Sequence, residues 1–250
     1  MKIRVLKTGH NNAFLNMGID EALMLSHDAK REDITLRVYE WNPSAVSIGY
    51  FQSLNEEVDV QHCQNEGVDI VRRLTGGGAV YHDKEVTYSF VCNESLLNKN
   101  IIDSYKQICS GITNGLKLIG IDSFFHPIND IIAGKKKISG NAQTRKNGKI
   151  LQHGTVLMQV DVDKMFSLLK VSNEKIKYAM IETVKERVTG VEHLLNRAVS
   201  NEEVEDALIN GFKETFNGEI TESRLTKKEL ALAEERAEQR FQSKEWLEMK

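Results

Sequence analysis

Apolar and polar positions follow two different periods along this chain, and each period predicts an element. The opening segment MKIRVLKTGHNN has a strand-like pattern. Residues 13 to 29 set Phe14, Met17, Ala22, Leu23 and Leu25 among polar neighbours behind the candidate caps Asn11 and Asn12, which predicts an amphipathic helix. Residues 34 to 50 read as strands around the turn Asn42-Pro43. From 101 to 119, Ile101, Tyr105, Ile108, Ile112, Leu116 and Ile119 recur at three- and four-residue steps, the stripe of a second helix. Lys137 to Arg145 and Lys149 to Val160 flank Lys146-Asn147-Gly148, and Asn-Gly between β-compatible runs predicts a long antiparallel hairpin. Ser200-x-x-Glu203 and Thr226-x-x-Glu229 read as capping boxes, so the last 50 residues are expected to be mostly helical.

Strands and helices mix without regular βαβ alternation. The fold class that follows is α+β, a mixed and largely antiparallel sheet with packed helices. No internal repeat is visible, and with only Pro43 and Pro127 no Pro-rich linker marks a boundary. Residues 1 to 250 therefore read as one compact unit with a mainly helical portion from about 200. The tail Leu225 to Lys250, carrying Leu230, Leu232, Ala233, Ala237 and Phe241, is expected to pack on the core.

Composition narrows the function. With 40% hydrophobic residues in 250, the chain can bury a core unaided. A formal net charge of -3 gives no global basic field, which argues against a nucleic-acid partner. The N-terminus lacks the apolar stretch of a signal peptide and no long apolar run is present, so a cytoplasmic location without membrane contact is the expectation. Cys63, Cys92 and Cys109 are far apart and form no C-x-x-C pair, which disfavours disulfides and structural zinc.

Two segments carry chemistry. In Val71-Arg72-Arg73-Leu74-Thr75-Gly76-Gly77-Gly78-Ala79-Val80-Tyr81-His82-Asp83, three glycines follow paired arginines. Glycines let successive N–H groups face one anion, and arginine offers a planar fork for phosphate or carboxylate. A bound polyanion or a tight strand connection with surface arginines both fit at this point. Neither the Walker A pattern nor G-x-G-x-x-G is matched. In Asn129-Asp130-Ile131-Ile132-Ala133-Gly134-Lys135-Lys136-Lys137-Ile138-Ser139-Gly140-Asn141-Ala142-Gln143, Lys135 and Lys136 read as a solvated turn. Lys137 instead opens a strand beside small residues that leave room for a ligand.

Together these segments resemble the lipoate-protein ligase A family, within the superfamily of lipoate ligases, octanoyl transferases and biotin ligases. Met17-Gly18-Ile19-Asp20-Glu21-Ala22, Ser47-Ile48-Gly49-Tyr50-Phe51-Gln52 and Gln152-His153-Gly154 extend the resemblance along nearly the whole chain. It implies the biotin/lipoate ligase catalytic-domain fold and a two-step ligase. Lipoate would be activated with Mg-ATP to lipoyl-AMP, and the lipoyl group would then pass to a lysine of a carrier domain, of glycine cleavage H protein or 2-oxoacid dehydrogenase E2 type.

By position in the motifs, Arg73, Gly77, Gly78, Ala79, Val80, Tyr81 and Lys137 would bind ATP or the adenylate. Lys137, Gly76, Gly77 and His153 would face lipoate, with Lys137 the catalytic group. Asp130 would bind Mg²⁺ or hold Lys137. His82 and His153 fit either acid-base or structural roles. The alternative within the superfamily is octanoyl or lipoyl transfer without ATP. Cysteine-dependent transferases place their nucleophile just ahead of the segment matching Asn129-Asp130-Ile131, and Asp122 to Ile128 hold none. All three cysteines read as buried small hydrophobes or as unactivated. Long family members carry a C-terminal accessory domain that this chain has no space for, so a separate accessory subunit is a possible partner. A binding module without transfer activity is the reading from another class.

Overall fold

Local signals set most element boundaries before packing does. The computed structural model describes residues 1–28, 33–171 and 173–249. Strand β1 (Lys2–Asn11) leads into helix α1 (Ala13–Ser26), whose first turn is closed by the Asn12 side chain accepting from the Leu15 N–H. The predicted end of this helix at residue 29 lies outside the described residues. Strands β2 (Asp33–Trp41) and β3 (Ala45–Ile48) flank Asn42-Pro43 as expected. Short helices α2 (Leu54–Glu57) and α3 (Val60–Asn65) precede β4 (Asp69–Arg72), β5 (Val80–His82) and β6 (Glu85–Asn93).

Helix α4 (Ile101–Leu118) is the striped helix, capped by Asn100 and buried along Tyr105, Ile108, Ile112 and Leu116. Strands β7 (Ser123–His126) and β8 (Asp130–Ala133) lead to the hairpin β9 (Lys136–Lys146) and β10 (Lys149–Leu157). Its turn residues Asn147 and Gly148 both have positive φ, 53° and 73°, as a two-residue hairpin turn with right-handed twist requires. Then come α5 (Val162–Leu168), α6 (Glu174–Arg187), α7 (Val191–Leu195), α8 (Asn201–Phe216), β11 (Glu219–Ser223), α9 (Lys227–Arg236) and α10 (Lys244–Glu248).

The main sheet has eight strands in the order β11-β1-β2-β6-β10-β9-β8-β7. Only β11–β1 and β1–β2 are parallel; the remaining neighbours are antiparallel, so the fold is the mixed α+β type read from the sequence. A separate three-stranded sheet, β4-β3-β5, carries the chain into the glycine-rich segment. The largest apolar cluster joins the sheet to α4 and α8 through Phe90, Ile108, Ile112, Leu208 and Phe212. On the other face, α1 packs with α9 through Ile19, Leu23 and Ala233.

The region after 200 holds the helices α8, α9 and α10 and one strand, because β11 pairs in parallel with β1 over Lys2–Leu6. Glu219-Ile-Thr-Glu-Ser has a single apolar residue, so its strand comes from the neighbour and not from its own pattern. The first capping box is half formed: Ser200 accepts from the Glu203 N–H, while the Glu203 carboxylate pairs with Arg197. Thr226 and Glu229 make the reciprocal box. Among the described residues, no helix is long and apolar enough to cross a membrane.

Candidate active site

The glycine-rich segment owes its shape to Arg73. The residue is only 5% exposed, and the hydrogen bonds of its guanidinium among the described residues go to Ser47 O (3.0 Å), Ser47 Oγ (3.1 Å), Gly76 O (2.9 Å) and Gly78 O (2.7 Å). Gly77 turns with φ 97°, and its carbonyl presses so close to Gly49 that a Cβ there would lie 2.0 Å from the oxygen. The carbonyls of Gly76, Gly77 and Gly78 therefore all face protein. Among the described residues their N–H groups have no partner, which leaves them as donors for an anionic or partly negative oxygen. Burial lowers the Arg73 pKa to about 10, and the group stays cationic at neutral pH without a carboxylate beside it. Arg73, which the sequence placed among the adenylate-binding residues, braces the loop with hydrogen bonds and brings buried positive charge to the cavity lining.

Arg72 has a different task. Fully buried, it donates to the carbonyls of Gly49, Tyr50 and Gln52 and to those of Trp246, Leu247 and Met249. Trp246 Nε1 donates back to Arg72 O at 2.9 Å.

Lys137, the second residue of β9, has its side chain 38% exposed, and its ammonium lies 2.7 Å from Asp130 Oδ1. Gly140 makes room for it: a Cβ there would be 2.9 Å from Nζ. Asp130 is held next to it because Asn129 and Asn141 exchange side-chain-to-backbone hydrogen bonds across β8 and β9. The ion pair with Lys137 is one of the two roles the sequence left open for Asp130. No group of three His, Cys, Asp or Glu among the described residues could hold a metal ion.

Both histidines find the carboxylate partners that sequence reasoning could not assign. His153 Nδ1 lies 3.0 Å from Asp20 Oδ2, and its Nε2 lies 2.7 Å from Thr75 Oγ1. Burial lowers the His153 pKa in spite of Asp20, so the ring is neutral, with Nδ1–H donating to the carboxylate and Nε2 accepting from the threonine. Burial alone would raise the Asp20 carboxyl, but the His153 hydrogen bond and the Arg37 charge hold it below its ordinary value. Arg37 Nη1 lies 2.8 Å from Asp20 Oδ1 with both side chains buried. His82 Nδ1 lies 2.6 Å from Glu85 Oε1, and its Nε2 lies 2.7 Å from Ser47 Oγ.

These groups converge on one cavity of about 360 Å³. Arg73, Gly77, Gly78, Ala79, Val80, Tyr81, Lys137 and His153 all line it, as the sequence grouped them. Gly76 does not; its carbonyl is turned to Arg73. Met165, Val184 and Val188 give the cavity an apolar portion, while His82, singled out in the sequence, is joined in the polar lining by Ser47 and Glu85, to which sequence reasoning gave no role. No short-range signal could have found that trio, since Ser47 and His82 meet through the β3–β5 pairing. The cysteines lie outside the lining, and burial pushes their thiols up to about 11 for Cys63 and about 12 for Cys92 and Cys109.

Comparison with known proteins agrees with this geometry. Residues 12–213 match the lipoyl protein ligase A/B catalytic domain. An octanoyltransferase LipM from Geobacillus kaustophilus (strain HTA426) is 34% identical, over 97% of this chain and 96% of its own. The bi-partite lipoate protein ligase of an archaeal lipoylation system from Thermoplasma acidophilum superposes with a TM-score of 0.89 at 33% identity, covering 98% of this chain and 94% of that one. A lipoate-protein ligase A solved bound with ATP gives a TM-score of 0.85 at 32% identity, covering 99% and 98%.

The curated relatives correct the ligase reading. From 30% to 35% identity they carry the name octanoyltransferase LipM, and none of these names denotes an ATP-dependent ligase. The residues read from sequence could not separate the two reactions, because a glycine loop and a lysine serve an acyl carbonyl whether it arrives as a thioester or an adenylate. On sequence and fold together, this chain belongs to the lipoyl protein ligase A/B catalytic-domain family, a group of lipoate ligase and transferase enzymes.

Proposed function

We propose that this chain is an acyltransferase that moves an octanoyl group from a thioester donor to a lysine amine on a lipoyl carrier domain, of glycine cleavage H protein or 2-oxoacid dehydrogenase E2 type. What carries the reading is one cavity in which an apolar portion and the Lys137 ammonium meet, in a chain whose curated relatives are named octanoyltransferases. The volume of about 360 Å³ falls within the small-molecule range. Met165, Val184 and Val188 receive the acyl tail, and the polar lining receives the carbonyl. Lys137, steadied by Asp130, then stabilises negative charge on the carbonyl oxygen as it becomes tetrahedral. The free N–H groups of Gly77 and Gly78 and the buried charge of Arg73 add to that field.

This reading requires neither ATP nor Mg²⁺, and it requires no separate accessory subunit. The catalytic unit spans the helical portion after 200 as well, because Arg72, next to the loop brace Arg73, is bonded to residues 246, 247 and 249. The test is the mass of a lipoyl domain incubated with the protein and an octanoyl thioester. Octanoylation without nucleotide is expected. Modification that demands ATP and free acid, with none from the thioester, would overturn the reading.

A further inference from the structure

Asn141, Gln143 and Arg145 alternate along β9, and their side chains share one face of the sheet with Tyr88 of β6 and Gln152 of β10. Register sets Tyr88, Gly154 and Asn141 in one row across three strands. The middle place is glycine, where a Cβ would lie 2.2 Å from Asn141 Oδ1, so the Tyr88 hydroxyl can reach over it. Tyr88 Oη donates to Asn141 Oδ1 at 2.7 Å.

That bond ends a chain in which every donor points the same way. Arg145 Nε donates to Gln143 Oε1 at 3.1 Å, Gln143 Nε2 to Gln152 Oε1 at 3.0 Å, and Gln152 Nε2 to Tyr88 Oη at 2.7 Å. Bonds aligned head to tail from a guanidinium polarise one another. Burial pushes the Tyr88 phenol well above 10, so it stays protonated and donates. Tyr88 and Gln152 are fully buried under α4 and α8, the one against the Phe212 ring and the other 3.7 Å from Cys109 Sγ. Apolar side chains of the same size would fill that layer with no polar atom to satisfy, so packing alone does not call for the chain.

Of these residues only Asn141 lines the cavity, and its orientation has an effect there. With Oδ1 turned to Tyr88, Nδ2 is turned to Asn129 O at 2.9 Å, and the Asn129 side chain returns a bond to Asn141 O. An inverted amide would set Oδ1 against the Asn129 carbonyl, acceptor against acceptor. Asn129 is followed by Asp130, whose carboxylate holds the Lys137 ammonium at 2.7 Å.

We propose that Tyr88 is a positioning residue for acyl transfer, acting through Asn141 and Asp130 on the Lys137 ammonium. This rests on the acyltransferase reading above, which puts the acyl carbonyl at Lys137. The phenol fixes the Asn141 amide, the amide fixes the start of β8, and Asp130 then aims the charge. Without the O–H, Asn141 is free to turn and the ammonium leaves its place, although no group that touches substrate has changed. Charge aimed at the developing oxyanion acts in the transition state, so kcat moves and KM does not.

The experiment measures transfer from an octanoyl thioester to a lipoyl domain by the full chain and its Tyr88→Phe variant. A loss of about three- to tenfold in kcat is expected, with KM unchanged. In a Lys137→Met background the same change should cost nothing further, because the group it acts through is gone. Phe90→Leu, two residues along the same strand and equally buried, should lower the melting temperature and leave kcat alone. Gln152→Met opens the chain one bond earlier and should repeat the kcat loss, which also serves should Tyr88→Phe fail to fold. Labelling of Lys137 by acetic anhydride, taken as a ratio to Lys135 with no donor or carrier present, should rise in Tyr88→Phe as the ion pair loosens.

An unchanged kcat, a change in KM alone, or the same loss in both backgrounds overturns the positioning role and leaves the transferase reading intact. If the wild type moves no acyl group from the thioester, the transferase reading falls, and the labelling ratio still decides: a rise keeps Tyr88 as the residue that positions Lys137, and no change removes it.

Discussion

Asp130 Oδ1 holds the Lys137 ammonium at 2.7 Å across neighbouring strands whose register sets Asp130 opposite Gly140. Both side chains are about a third exposed, so the pair contributes at most about 1 kcal/mol to stability and its worth lies in aiming the charge.

Replacing Lys137 with Met should lower acyl transfer by roughly 10²–10³-fold, the loss seen when a preorganised oxyanion donor is removed. The melting temperature should stay within about 2 °C, because the side chain exchanged is partly exposed and outside the core. Asp130→Asn should cost about tenfold, with the lysine present and unaimed. Rates and melting curves of the two variants check this, and wild-type turnover in Lys137→Met would take Lys137 out of the chemistry.

Gly49→Ala should disable the loop without touching a reacting group. The added methyl would meet Gly77 O at 2.0 Å, and the neighbouring atoms are backbone of Gly76 and Gly77, which cannot swing aside as a side chain would. Overpacking of this kind costs about 1–3 kcal/mol and displaces the carbonyl that keeps the loop N–H groups free. A variant that melts and turns over like the wild type would show that the loop frame is not needed.

Acid should weaken the fold through His153. Burial holds its pKa below 6.5, so the folded state refuses a proton that the unfolded chain accepts. Stability is then full above the unfolded value near 6.5 and is lost as pH falls below it towards the lower folded value. Asp20, held below its ordinary 3.8, loses its contribution in the same direction but only at more acid pH. Melting curves from about pH 7.5 to 5 should slope downward in the wild type and flatten in His153→Gln. An unchanged slope in the variant would assign the effect to other groups.

Thiol reagents should leave transfer intact. All three cysteines are buried, with their thiols pushed up to about 11 or 12, so thiolate is scarce at neutral pH. Iodoacetamide treatment followed by an activity assay and peptide mass checks this. Loss of transfer in step with alkylation of Cys109 would restore an enzyme thioester to the mechanism.

What the sequence made legible was what depends on neighbours a few residues away. The stripe of α4, the Asn147-Gly148 turn and the caps at Asn12 and Thr226 are local, and they stand where expected. Gly77, Gly78 and Lys137 were legible because their residue types are unusual in that order. Long-range partners were not. That Arg73 donates to Ser47, 26 positions earlier, could not be read from either segment. Asp20 and His153 are 133 positions apart, and nothing in either segment announces the other. The donor was also illegible, since an octanoyl and a lipoyl tail ask for the same apolar lining.

Arg72 sets an order in time as well as in space. The loop from Gly49 to Gln52, against which the glycine segment rests, shares that guanidinium with carbonyls at 246, 247 and 249. A ribosome delivers these last partners some 174 positions after the arginine itself. Until they emerge, half of the fork has no carbonyl to meet. Maturation of the reacting loop therefore waits on segments synthesised long after the loop, and a nascent chain carries its chemistry unassembled until then.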